Sequence, residues 1–377
     1  DFFFDDSTQE VPIYIMFVDA FNKPIIRELK LRLNVKEISI AEWVGHKMNG
    51  LTDIEWKMFN QAKFLEALGL EFDQKYGTFD FISQYGFDTL ANYADYFMDP
   101  QKLNLKDNIK LSDVIDLFYF DMEVRKQVIS AMELFEKVFK QAMQYVISKR
   151  ATDQYTSYTA DEYLNKSYTY ENKVDGVHDV IRRGSLKNRF RKVRSDLRKK
   201  DPNKDNVTPK EMVNNLYFNN VSDWYFLLNE SLRKEINNYI VNGFKYEKIN
   251  NDGDYEYVEN IVRLCNGFRN QAAHGGIVFN YYDSSLRVNY QGMYLAGRRI
   301  MQDEKQYHCG IGILLISIAA IENYDVKEQL FNGIHSALKN YFGKHPEMKK
   351  EILHSMGIDT LMNLKVETPF SIFDDLS

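Results

Sequence analysis

The stretch Val128-Ile-Ser-Ala-Met132-Glu-Leu-Phe135-Glu-Lys-Val-Phe139-Lys-Gln-Ala142-Met-Gln-Tyr-Val146 decides the fold class. Val128, Met132, Phe135, Phe139, Ala142 and Val146 recur at spacings of 4, 3, 4, 3 and 4. That is one side of an α-helix, not the alternation of a half-buried strand. Glu133 with Lys137 and Glu136 with Lys140 stand one turn apart and add ion-pair support. The pattern predicts one long helix from about Leu111 to Arg150.

Toward the N-terminus the texture stays helical. A Tyr/Phe-rich helix is expected from Asp80 to Met98, ended by Pro100. Before it, Thr52-Asp53 read as a cap for a helix through Phe59, Ala62, Phe64 and Leu68 that closes near Gly69. In the first 35 residues, Val11–Val18 and Ile25–Leu33 alternate weakly and suggest a small β-hairpin. Toward the C-terminus, residues 151–178 are Tyr/Thr/Asn-rich and read as a loop. Leu186, Phe190, Val193 and Leu197 then mark an amphipathic helix that Asp201-Pro202-Asn203 breaks. Ser222-Asp223 read as the cap of a helix with Tyr225, Leu228, Leu232, Ile236 and Tyr239 on one face. A polar loop at 246–255 precedes a helix with Val258, Ile261, Cys265 and Phe268 as its apolar stripe, stopped by Gly275-Gly276. The apolar run Ile311–Ile321 is too short to cross a bilayer and reads as a buried core helix. The expected fold is mainly α, with a small N-terminal β-hairpin. Three regions are expected: 1–100, a helical domain at 101–280 with a basic insert at 178–204, and a helical C-terminal region at 281–377.

Composition limits the function classes. With 44% hydrophobic and 27% charged residues, the chain can bury a core in ordinary soluble fashion. Two cysteines, Cys265 and Cys309, cannot build a disulfide framework and suit a reducing cytoplasm. The start, Asp-Phe-Phe-Phe-Asp-Asp, lacks the positively charged leader of a signal peptide, and it also lacks a Met, so the true start is expected upstream; the cytoplasmic expectation rests on the cysteine usage. His308, His335, His345 and His354 match no zinc spacing, and Gly310-Ile-Gly312 lacks a phosphate-loop lysine. No metal and no cofactor is expected. The net charge of −6 hides a strong asymmetry: residues 182–200 carry ten Lys/Arg and one acid, a charge of +9, so the rest of the chain carries −15. A basic stripe on an acidic body is an electrostatic footprint for a polyanion. Its cations Arg182, Arg183, Lys187, Arg189, Arg191, Lys192, Arg194 and Arg198 are the expected RNA contacts. The competing reading, a solvated face paired with the acidic body, does not suit so lopsided a surplus.

The chemistry-bearing segment is Cys265-Asn266-Gly267-Phe268-Arg269-Asn270-Gln271-Ala272-Ala273-His274-Gly275. It places a permanent cation, an amide and an imidazole at the end of an apolar helix. RNA can be cut without metal when its own 2′-hydroxyl attacks the adjacent phosphate. That reaction needs a proton shuttle near neutral pH, which His supplies. It also needs a fixed cation for the charge that grows on phosphorus, which the Arg fork supplies. Five residues of ideal helix rotate about 140°, so Arg269 and His274 do not share a face, whereas Asn270 and His274 do. One such histidine per chain also supplies half of an acid–base pair. Both points favour a site completed across a twofold homodimer. Taken on spacing alone, an Arg and a His at a helix end are more often structural, the His meeting the helix dipole and the Arg a carboxylate.

The hexapeptide Arg269-Asn270-Gln271-Ala272-Ala273-His274 resembles the R-x4–6-H motif of HEPN nucleases. Its surroundings resemble the Abi family of bacterial abortive-infection proteins, the AbiD/AbiF-like group. Those proteins end their core with a pattern like L-R-N-x-x-A-H, to which Phe268–His274 is similar. Their opening helix, Y-x-F-D-x-x-L-R followed by A-I-E-x-x-E, is similar to Tyr119–Arg125 and Ala131–Glu136, and their tyrosine-rich N-terminal helix to Tyr93–Phe97. The resemblance spans residues 80–280. It departs at Gly275-Gly276, where a second His is frequent, in the first 40 residues, and in the polar insert at 151–205. The RNA-targeting single-protein CRISPR nucleases carry two such motifs in one chain, and this chain carries one. The resemblance implies a HEPN-type helical bundle and a metal-independent endoribonuclease acting as a toxin-like phage-defence effector. Arg269 would hold the scissile phosphate, His274 would act as general base or acid, and Asn270 would orient either. Glu133 or Glu136 could support the site, but the favoured reading of both is as helix-surface ion-pair residues. The rival functions are a non-catalytic protein holding a structured noncoding RNA, and a regulatory partner of a toxin–antitoxin pair. A bound noncoding RNA that silences the nuclease would combine the first of these with catalysis.

Overall fold

Most of the described residues in the computed structural model are helical, as the periodicity requires. The structure describes residues 2–4, 9–18, 24–33, 37–39, 53–73, 77–102, 104–154, 163–164, 176–204, 206–242, 252–283, 286–289, 294–295, 298–299, 306–308, 310–358, 372–373 and 376. The chain divides into two compact units, Asp1–Met122 and Glu123–Ser377.

In the first unit, strands β1 (Phe2–Phe4), β2 (Gln9–Val18), β3 (Pro24–Leu33) and β4 (Glu37–Ser39) pair antiparallel, β1 with β4 and β2 with β3. The β2–β3 register sets Gln9 against Leu33 and Val18 against Pro24, which is the expected hairpin. Helix α1 (Asp53–Ala67) ends at Gly69, whose φ is +98°. The aromatic helix is broken into α2 (Thr78–Tyr85) and α3 (Phe87–Ala94), followed by a 3₁₀ turn at Asp95–Phe97. The break falls at Gly86, with φ +86°, a conformation that the single expected helix does not allow for. Tyr93 and Phe118 meet edge-on at 5.4 Å. The Tyr93 hydroxyl donates to the buried carboxylate of Asp121 at 2.7 Å. Two of the aromatic segments quoted above are thus joined directly.

Helix α4 (Leu111–Gln154) is the long helix, extending a few residues past the expected end into the expected loop. Val128, Met132, Phe135, Phe139, Ala142 and Val146 are all fully buried. In the second unit, α5 (Gly176–Lys200) is the basic helix, and α6 (Pro209–Asn214) starts with a reciprocal cap between Thr208 and Glu211. The helix expected to start at Ser222-Asp223 is instead two helices, α7 (Phe218–Leu227) and α8 (Glu230–Asn242). Ser222 is buried inside α7 and caps nothing. Leu228 turns extended, and the Asn229 side chain accepts the Leu232 N–H at 3.0 Å to start α8. The apolar phase runs on through the break, so periodicity could not show it.

Phe139 meets Phe218 at 5.7 Å and Tyr225 at 5.4 Å, both edge-on, packing α4 against α7. Phe190 meets Trp224 at 4.8 Å, packing α5 against α7. Helix α9 (Asp252–Ala273) follows and takes in the last residues of the expected loop at 246–255. The rest of that loop, and most of the loop expected at 151–178, lie outside the described residues. Helices α10 (Ile311–Ala319), α11 (Tyr324–Phe342) and α12 (Lys349–Ser355) complete the unit. Helix α10 is the expected core helix, with Ile311, Leu314, Leu315, Ile316 and Ile318 buried. Among the described residues no helix is long and apolar enough to cross a membrane.

Candidate functional site

Helix α9 sorts its residues as its sequence dictates. Val258, Ile261, Cys265 and Phe268 are fully buried, and Phe268 meets Tyr281 edge-on at 5.2 Å. At about 100° per residue, Arg263, Asn270 and His274 fall within about 40° of one another on the side opposite that stripe. Asn266 lies on the edge of the same polar face. Arg269 projects from the flank of the core side, so Arg269 and His274 leave the helix in different directions.

The end of α9 is built by three hydrogen bonds. The His274 N–H still donates to Asn270 O at 3.0 Å. Gly275 adopts a left-handed conformation, φ +77°, and its N–H reaches Ala272 O at 3.4 Å. The Gly276 N–H reaches Gln271 O at 3.0 Å. This is a Schellman cap, and it makes His274 the last residue held by the helical ladder. The Gln271 amide closes the turn by donating to Ile277 O at 3.0 Å. His274 is exposed, while Arg269 and Asn270 are half-buried. The side-chain oxygens of Asn266 and Asn270 are buried with no hydrogen-bond partner. Two buried acceptors without partners, one turn apart, thus precede the exposed imidazole on this face, and burial ordinarily demands a donor for each.

A further cation arrives from α4. A Cβ on Gly275 would have the Arg125 Nη1 as its nearest neighbour, at 4.0 Å. Arg125 is half-buried, and its guanidinium reaches the cap at Gly275. The sequence showed Arg125 only as the last position of the Tyr119–Arg125 pattern, and that position was the one signal available for it. Glu133 and Glu136 lie about 12 Å and 16 Å further along α4 by helical rise. Glu133 is exposed, and Glu136 pairs with Lys140 at 2.7 Å.

Helix α5 keeps Leu186, Phe190 and Val193 buried, with Leu197 half-buried. Of its cations, Arg189, Arg191, Lys192 and Arg198 are exposed. Arg182, Arg183, Lys187 and Arg194 are half-buried along the two flanks of the apolar stripe. Arg182 pairs with Asp223 of α7 at 3.5 Å, and Arg198 donates to Lys204 O at 3.1 Å. Burial raises the Asp223 carboxyl above its ordinary range, against the opposing pull of Arg182 and Arg263. Among the described residues, no group of three or more His, Cys, Asp or Glu is arranged to hold a metal ion.

A family model describing Abi-like proteins matches residues 80–280. The match takes in the joined aromatic segments of the first unit, all of α4, the basic helix and the end of α9. Neither the curated proteins nor the solved structures gave a match.

Proposed function

The chain belongs to the Abi-like protein family, and on that premise we propose that it is a metal-independent RNA endonuclease of the HEPN type, acting as an abortive-infection effector. The observation that carries this reading is the end of α9: an exposed His274 on a fixed cap, one turn beyond an Asn270 oxygen that is buried and unpartnered.

In the proposed reaction the 2′-hydroxyl attacks phosphorus and the bond to the 5′-oxygen breaks, leaving a cyclic 2′,3′-phosphate and a free 5′-hydroxyl. His274 takes the 2′-hydroxyl proton as general base. The Asn270 oxygen accepts an N–H of the imidazole and so fixes which nitrogen is free to act. Arg269 holds the phosphate oxygens and stabilises their charge in the transition state, with Arg125 as a neighbouring cation. The leaving 5′-oxygen needs a proton donor, which a second copy of the chain supplies from its own His274 in a twofold homodimer. The exposed cations of α5 hold the RNA by its backbone and give affinity without sequence reading.

The test is cleavage of total RNA in the presence of a chelator by wild type, His274→Ala and Arg269→Ala. Each substitution is expected to slow cleavage by roughly two to four powers of ten. Because the proposed reaction takes one His274 from each copy, mixing an excess of His274→Ala into wild type is expected to lower activity beyond simple dilution. Variants that cut as fast as wild type would overturn the assignment. RNA that co-purifies and stays intact with every variant would instead favour a protein that only holds RNA.

A further inference from the structure

Helix α9 carries a second cation on the face that bears Asn270 and His274. Arg263 lies two turns before Asn270, about 10 Å along the axis, and about 16 Å before His274. Its guanidinium sits over the ring of Phe226 in α7, 3.9 Å from the centroid. The guanidinium of Arg182, from the basic helix, is 5.8 Å from the same ring. Two carboxylates are close by, and each has a partner: Asp223 pairs with Arg182, and Glu259 with Arg233. Arg263 is exposed and has no ion-pair partner among the described residues. Partial burial and the neighbouring Arg182 charge also hold its guanidinium below the ordinary arginine range. An exposed guanidinium held over an aromatic ring, without an ion-pair partner among the described residues, can receive a phosphate oxygen.

The position adds direction. Arg182 belongs to the basic helix and Arg263 to the helix of the hexapeptide, and they converge over Phe226. We propose that Arg263, with Arg182, forms a subsite for a backbone phosphodiester of single-stranded RNA, a few nucleotides from the bond cut beside His274. The subsite turns two separate cationic features into one track from α5 to the end of α9. It rests on the ribonuclease reading only in its position relative to the cut; binding of the strand can be measured without cleavage.

The experiment uses the full chain carrying His274→Ala, so that RNA stays whole, and a single-stranded oligoribonucleotide of mixed sequence. Affinity is measured over a series of salt concentrations. Arg263→Gln is expected to flatten the slope of log affinity against log salt by about 0.7, the loss of one phosphate contact on a single strand. Arg263→Lys is expected to keep most of the slope. Lys350→Gln, an exposed charge on α12, is expected to leave it unchanged. In parallel, an arginine-specific dicarbonyl reagent is applied to the His274→Ala protein with and without the oligonucleotide, and Arg263 modification is read by peptide mass. Protection by RNA is expected, and it needs no substitution at Arg263 that could disturb folding. An unchanged slope in folded Arg263→Gln, or no protection, overturns the proposal. Protection by inorganic phosphate but not by the oligonucleotide overturns it too, in favour of a free-anion site. If protection and the slope change appear but wild type cuts no RNA, the subsite stands and the ribonuclease reading falls. If wild type cuts RNA but neither effect appears, the reverse holds.

Discussion

Replacing Gly275 by Ala isolates the backbone term that fixes His274. The residue sits at φ +77°, and the nearest atom to an added Cβ would be Arg125 Nη1 at 4.0 Å. The methyl group meets no clash, so the cost is conformational. Placing an L-residue in the left-handed region costs about 1–2 kcal/mol. Ala also removes freedom from the unfolded chain, which returns about 0.4–1 kcal/mol. The net loss is about 1 kcal/mol, concentrated in the cap whose amides donate to Ala272 and Gln271. Opening of that cap should become about fivefold more populated. The assay is hydrogen exchange of the amides at 275 and 276, alongside urea unfolding. Gly184→Ala is the control, because Gly184 lies within α5 with nothing within 4 Å of its Cβ position. There the same substitution should stabilise, by up to about 1 kcal/mol. Gly275→Asn should lose less than Gly275→Ala, since Asn tolerates the left-handed region. If Gly275→Ala proves neutral or stabilising, or if both glycines respond with the same sign, the backbone argument for how His274 is held is wrong.

Other outcomes follow from single packing or charge features. Phe268→Ala removes a fully buried ring beside Arg269 and should cost about 3–5 kcal/mol, read as a lowered urea midpoint; a loss under 1 kcal/mol would contradict its core placement. Cys265 is fully buried and burial pushes its thiol far above the usual range, so iodoacetamide should label it only after unfolding, as followed by peptide mass. Glu211 is held below the usual carboxylate range: burial opposes this, but the hydrogen bonds from Lys204 and Thr208 outweigh it. Its folded value lies under its unfolded one, so its contribution is present above the usual carboxylate range and is lost as pH falls through the lowered value. Glu211→Gln should therefore flatten the acid side of the stability profile, and an unchanged acid limb would refute the cap assignment.

The sequence by itself determined which residues face the core wherever a helix is continuous. The stripes of α4 and α9 are buried as read, and that of α5 is buried except for half-buried Leu197, because helical periodicity is a local angular property that needs no partner to define it. It also carried Arg269, Asn270 and His274 as a group, and the split of Arg269 from the Asn270–His274 face, since both follow from positions on one helix. Only the tertiary structure decided where a continuous apolar phase is cut. Leu228 turns extended between α7 and α8 without disturbing the pattern, and Ser222 and Asp223 are spent on core and ion pair rather than on a cap. Only the tertiary structure, too, brought Arg125 to Gly275 and set Arg182 and Arg263 over one ring. Those pairs are separated by many residues, and spacing reports the angle of a side chain about its own helix, not which distant helix it meets. The end of α9 was therefore legible as a set of residues, while the cations gathered around it were not.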